Sequence, residues 1–203
     1  MSLTDAYHRP IRDLRISLTD RCNFRCFYCL PHGEPAWAKR ETLLTFEEIT
    51  RLSAIFVSLG IEKIRLTGGE PLIRRDVPVL VKMLSGLKPQ LRDLALTTNG
   101  YDFERFAADL KAAGLDRVTF SLDSIRPDRF HEITGSDSLG RVLSSIETAK
   151  RLGFHPVKVN AVVVRGRNED EVAELAGFAR EKDVSMRFIE YMPLDSGREW
   201  DRS

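Results

Sequence analysis

The stretch "LRISLTDRCNFRCFYC", Leu14 to Cys29, joins two patterns that decide how the rest of the chain is read. Its first half alternates: Leu14, Ile16 and Leu18 fall on one side, and Arg15, Ser17 and Thr19 on the other. That period of two marks a β-strand with one apolar and one polar face. Its second half holds Cys22, Cys26 and Cys29, the only three cysteines among 203 residues. Three clustered thiols with no fourth partner do not make a disulfide framework. They read as ligands instead.

Outward from this segment the strand pattern recurs. Apolar-rich runs stand at Leu14–Thr19, Lys63–Thr67, Asp93–Thr98, Arg117–Asp123, Val157–Val164 and Ser185–Met192. Longer amphipathic runs lie between them, near Asp76–Leu87, Asp102–Ala113, Leu139–Leu152 and Glu169–Lys182. The first helix is marked at both ends: Thr45 as N-cap with Glu48 three residues on, and Gly60 as the stop. "GLKPQ" and "RPDRF" read as connections. Strand–helix alternation at this spacing predicts βαβ units and a parallel sheet. Parallel strands covered on both faces are usually apolar throughout. These alternate, so helices cover the apolar faces and the polar faces look at one another. A curved sheet, a partial barrel with a polar interior, satisfies both; a flat sheet with one solvated face is the alternative. Arg15, Lys63, Arg65 and Lys158 all fall on polar faces, so the predicted cavity is cationic and suits a polyphosphate.

The totals narrow the function. Lys and Arg number 31 against 30 Asp and Glu, a net charge of +1, which points to neither nucleic acid nor an acidic membrane. No run approaches the roughly 18 apolar residues of a membrane span, and "MSLTDAYHRPIRDL" has no apolar signal core. A cytoplasmic protein of one domain is expected.

Three cysteines fit few metal sites. A closed zinc site needs four ligands; His32, three residues past Cys29, is the one nearby candidate to complete it. Inert buried thiols rarely cluster so tightly. An iron–sulfur cluster normally takes four thiolates, and three leave one iron open to bind something else.

CxxxCxxC after the first strand, with Tyr28 before the last cysteine, resembles the radical S-adenosylmethionine superfamily. "TGGEP", Thr67 to Pro71, directly after the second strand, resembles that superfamily's second motif. The resemblance implies a partial (β/α)6 TIM-like barrel of α/β class, with the site at the C-terminal ends of the strands. "IRLTGGEPLIRRD", "LTTNG", "FSLDS", "VKVN" and "FIEYMPLD" extend it to the GTP 3′,8-cyclases of molybdenum-cofactor biosynthesis, in that family's order. By that resemblance Cys22, Cys26 and Cys29 hold a [4Fe–4S] cluster. Tyr28, Gly69, Ser121 and Met192 contact S-adenosyl-L-methionine, and Arg15, Arg65, Thr97 and Lys158 contact GTP. No side chain is assigned as a catalytic acid or base. Arg187 is left unassigned, because alternation sets it opposite Met192. The resemblance further implies an external electron donor and allows a homodimer. Family members continue past this point into a region with a second cluster, so residues 1–203 are expected to be the radical SAM core alone. A different radical SAM enzyme, one acting on a peptide, and a cluster-binding protein without turnover are the other readings.

Overall fold

The computed structural model describes residues 3–29 and 37–192. Six strands form one sheet: β1 (Asp13–Ser17), β2 (Lys63–Thr67), β3 (Asp93–Thr98), β4 (Arg117–Ser121), β5 (Lys158–Val163) and β6 (Ser185–Glu190). Their order in space is their order in the chain, and each neighbouring pair is parallel. Six helices connect them: α1 (Phe46–Ser58), α2 (Val77–Ser85), α3 (Phe103–Ala112), α4 (Pro127–Thr134), α5 (Leu139–Arg151) and α6 (Val172–Glu181).

The alternation sorts as expected. Ile64, Leu66, Leu94, Leu96, Val118, Phe120 and Val159 are buried on the helix side of the sheet. Phe103 of α3 packs edge-on against Phe120 with ring centroids 5.0 Å apart. The opposite face is lined by the other parity. In register, Arg15 lies beside Arg65, and Thr97, Thr119, Lys158 and Ser185 run across four strands. Arg65 of β2 and Arg187 of β6 lie on this same face, the polar interior of a rolled sheet.

The ends of β1 and β4 to β6 differ by a residue or two from the expected spans. The chain peels away there into the loops of the mouth while keeping part of the ladder. Leu18 N–H still donates to Thr67 O (2.8 Å), and Leu122 N–H to Asn160 O (2.9 Å). The capping box of α1 is present in full. Glu48 N–H donates to Thr45 Oγ1 at 3.2 Å, and Thr45 N–H donates to the Glu48 carboxylate at 2.8 Å. Gly60 follows with φ +103°. One reading needs correction: "RPDRF" is not a mere connection but the start of α4. Pro127 sits in its first turn, and Gly135 ends it with φ +65°. Both signals are in the sequence, at the positions where proline starts and glycine stops a helix. The run between them is short and mostly polar, so periodicity does not reveal it.

Candidate active site at the strand C-termini

The cysteine loop is pinned at three places. At its start, the β1–β2 ladder continues past both strands. Gly69 N–H donates to Thr19 O (2.7 Å), and Glu70 N–H to Arg21 O (2.8 Å). A Cβ on Gly69 would stand 2.3 Å from Arg21 O, and one on Gly68 2.5 Å from Thr19 O. Close backbone approach therefore requires both glycines. In its middle, the loop bonds to the last carbonyls of α4: Arg25 N–H to Thr134 O (2.8 Å) and Phe27 N–H to Ile133 O (3.1 Å). At its end, Tyr28 Oη–H donates to the Asp123 carboxylate at 2.5 Å.

Two buried carboxylates anchor this network. Glu70 accepts from Leu72 N–H (3.1 Å), Thr98 Oγ1–H (2.8 Å) and Asn99 N–H (2.7 Å). Asn99 in turn donates its amide to Asn23 Oδ1 (2.7 Å) and toward Cys22 Sγ (3.8 Å). Burial pushes the Glu70 carboxyl up to about 7, against those donors. Burial likewise raises Asp123 to about 6, although Tyr28 and the Val162 N–H oppose it.

Cys22, Cys26 and Cys29 are free thiols. Burial raises all three above the ordinary thiol range, and Cys29 adds to the shifts of Cys22 and Cys26. Buried thiols with mutual repulsion need a cationic metal centre to be held as thiolates. Phe24 N–H donates to Cys22 Sγ at 3.4 Å, a bond suited to a ligated sulfur. Among the described residues, no three His, Cys, Asp or Glu side chains converge on a point suited to one ion. A four-iron cluster engages each thiolate at a different iron, and three thiolates leave the fourth iron open, which is the donor set this loop supplies. His32 lies outside the described residues, and with it the alternative zinc site.

Beneath the loop lies the inner wall. Arg65 Nη1–H donates to Thr97 Oγ1 and to Thr119 Oγ1, each at 3.2 Å. Arg15 stands beside it on β1, exposed to the cavity. Lys158 is depressed by its burial and by Arg187, Arg117 and Arg65. The wall is therefore a cluster of cations around one carboxylate, Asp93. Arg117 and Arg187 belong to it and were not assigned from sequence. Arg117 is tied to Asp93 by a two-pronged ion pair. Arg187 is in register with Asn160, on the same face as Lys158. The alternation argument failed for Arg187 because Met192 lies beyond the end of β6, where strand parity no longer applies. Ser121 ends β4 beside Asn160, whose Oδ1 is buried without a partner among the described residues. Met192 is exposed, and Gly69 faces outward at the mouth.

A parallel, singly wound sheet with a three-cysteine loop and a double glycine at its mouth defines a recognisable class. The chain matches the family model described as "Radical SAM superfamily" over residues 16–179, and it belongs to that superfamily. Among curated relatives it is 51% identical to the GTP 3′,8-cyclase of Acidothermus cellulolyticus, covering 98% of this chain and 56% of that protein. It is 48% identical to the GTP 3′,8-cyclase of Marinobacter nauticus, covering 98% and 60%. Molybdenum cofactor biosynthesis protein 1 of Drosophila melanogaster is 48% identical, with 98% of this chain and 34% of that protein covered. The chain thus spans little more than half the length of the bacterial relatives. Among solved structures, Streptococcus suis SuiB bound to S-adenosylmethionine aligns with a TM-score of 0.77 at 18% identity, over 94% of this chain and 43% of that one. The anSMEcpe enzyme with bound AdoMet aligns at 0.71 and 20% identity, over 89% and 51%. At these identities the likeness speaks for the fold. Its partial (β/α)6 barrel agrees with the sheet described above.

Proposed function

We propose that residues 1–203 are the radical SAM core of a GTP 3′,8-cyclase, which converts GTP to (8S)-3′,8-cyclo-7,8-dihydroguanosine 5′-triphosphate in the first step of molybdopterin biosynthesis. The observation that carries this reading is the crowding of Arg15, Arg65, Arg117, Lys158 and Arg187 on one concave wall. Asp93 answers one of these charges; the mutual repulsion of the others is a standing cost, and a triphosphate removes it. The relatives' names and their identity over 98% of this chain support the choice of substrate.

Cys22, Cys26 and Cys29 would hold a [4Fe–4S] cluster, which when bound supplies an electron to S-adenosylmethionine and so a 5′-deoxyadenosyl radical. The other steps belong to the chain's own side chains. Arg65, braced by Thr97 and Thr119, and Arg15 and Lys158 beside it, would grip the triphosphate. That grip would turn the ribose C3′ toward the mouth, where its hydrogen is abstracted before C3′ bonds to C8. Tyr28, Gly69, Ser121 and Met192 would hold S-adenosylmethionine above it. The cavity walls would keep water and oxygen from the radical. An external donor would supply the electron. No helix among the described residues is long and apolar enough to cross a membrane, in keeping with a cytoplasmic site of action.

Anaerobic reconstitution with iron and sulfide, then dithionite and S-adenosylmethionine with and without GTP, tests the reading. 5′-Deoxyadenosine that rises with GTP, together with a cyclised product, is the expected result. Lys158→Ala should weaken GTP binding while uncoupled cleavage of S-adenosylmethionine persists. Loss of that cleavage would contradict its role. A GTP-independent yield of 5′-deoxyadenosine with no cyclised product would overturn the substrate assignment for this chain.

A further inference from the structure

The three anchors of the cysteine loop are not equivalent. The first two are backbone bonds, to the double glycine and to α4. The third is a side-chain bond from Tyr28 to Asp123, 95 residues away in sequence. Asp123 is itself held from β5 and the loop that follows it. Its Oδ1 accepts from Val162 N–H at 2.8 Å. Its backbone oxygen accepts from Asn168 Nδ2–H at 2.8 Å, and the same amide nitrogen donates to Val162 O at 2.8 Å. Asn168 Oδ1 closes the clamp by accepting from Val164 N–H at 2.8 Å. A buried carboxylate without such partners would be costly. The other oxygen of Asp123, Oδ2, is turned out of the clamp and accepts from Tyr28.

The order of the anchors along the chain matters. Arg25 and Phe27, bonded to α4, flank Cys26. Cys22 follows directly on the segment bonded to Gly69 and Glu70. Cys29 lies beyond both. Among the described residues, its restraints past Phe27 are the bond from its own N–H to Cys26 O (3.0 Å) and the neighbouring Tyr28. Phe27 and Tyr191 pack edge-on against Tyr28, at 5.4 and 6.5 Å, and steer its ring toward Asp123.

We propose that Asp123 is a positioning residue for Cys29: through the Tyr28 hydroxyl it fixes the third thiol of the loop, independently of the anchors that fix the other two. The proposal rests on the cluster reading only for what the thiol does.

The test is amide hydrogen exchange by NMR on the reduced, metal-free full chain, comparing the parent with Tyr28→Phe, Asp123→Ala and the double variant. The Cys29 N–H should lose protection by about tenfold or more in each single variant, the scale of one charge-assisted hydrogen bond. The double variant should lose no more than either single one, because both remove the same bond. The Arg25 and Phe27 N–H groups should keep their protection. Asp123→Asn keeps a hydrogen-bonding group toward Tyr28 and should restore part of the protection. Where Asp123→Ala does not fold, Tyr28→Phe, which removes one oxygen, carries the test. Unchanged protection of Cys29 in Tyr28→Phe overturns the proposal. So does an equal loss at Arg25, Phe27 and Cys29, and so do effects that multiply in the double variant. In the reconstituted chain, Tyr28→Phe should release iron to a chelator faster than the parent. If the parent takes up no iron, the cluster reading fails while the exchange result still decides whether Asp123 positions Cys29.

Discussion

At the N-terminal ends of β3 and β4 the chain handles charge at its surface. Lys88 pairs with Asp116 at 2.7 Å and Arg92 with Glu62 at 3.5 Å, both in reach of solvent. At the C-terminal ends the same sheet buries its charge. Glu70 and Asp123 sit inside the structure, each answered by fixed N–H and O–H donors. Surface pairs contribute little and tolerate change. Buried carboxylates cost stability and give geometry in return. The fold spends order at one end only, the end that carries the thiols.

The comparison breaks most easily at Gly69. A methyl group there meets Arg21 O at 2.3 Å. Gly69→Ala should destabilise the chain by roughly 1–3 kcal/mol in urea melts, as overpacking does, and should lower iron uptake on reconstitution. A fully loaded, undisturbed Gly69→Ala chain would show that the double glycine is not an anchor.

Next is the inner wall. Arg65→Met keeps most of the side-chain volume and removes the cation. Its affinity for GTP, read by calorimetry, should fall about tenfold or more, the scale of a charged hydrogen bond. The melting temperature should change little or rise, because a repulsion has been removed.

The buried carboxylates make a pH prediction. Glu70 titrates near 7 in the folded chain against 4.5 as its ordinary value. The folded state thus holds a proton that the unfolded state has lost, so stability falls as pH rises between those values and levels off above. Asp123, at about 6 against 3.8, adds a slope of the same sign at lower pH. Denaturant midpoints measured from pH 4 to pH 8 should show this decline. Glu70→Gln should lower stability, because its amide meets a donor, and should flatten the upper part of the slope.

The smallest effect belongs to the far end. Lys88→Met should change stability by about 1 kcal/mol or less and leave iron uptake as it was. A larger effect would mean that the two ends of the sheet are coupled.

Much of this was legible in the amino acids, and the limits have physical reasons. Period-two alternation disclosed which residues face the cavity, because side-chain parity is a local property of a strand. Parity alone sets Arg15, Arg65 and Lys158 on one face. The cysteine spacing and the capping box are likewise local. Arg187 was lost because parity was carried past the end of β6 to Met192. Helix α4 was lost because eight residues hold too few apolar positions to show a period. Its importance is also not apolar: it offers two terminal carbonyls to the cysteine loop. The Tyr28–Asp123 bond could not be read at all, since it depends on where two distant segments leave the sheet.

The ladder that runs on past β1 and β2 has a consequence for how such a chain can vary in length. Thr19 and Arg21 are matched bond for bond to Gly69 and Glu70. Adding or removing one residue between Leu18 and Cys22, or between Thr67 and Glu70, shifts every later pair by one step and turns side chains to the wrong side. Length changes are therefore barred in these two short segments. The turn at Gly153, φ +72°, has open space around it and lies between α5 and β5, outside the paired residues of the sheet. Insertions tolerated by a working chain should collect in places of that kind, and the two segments at the mouth should keep their residue count.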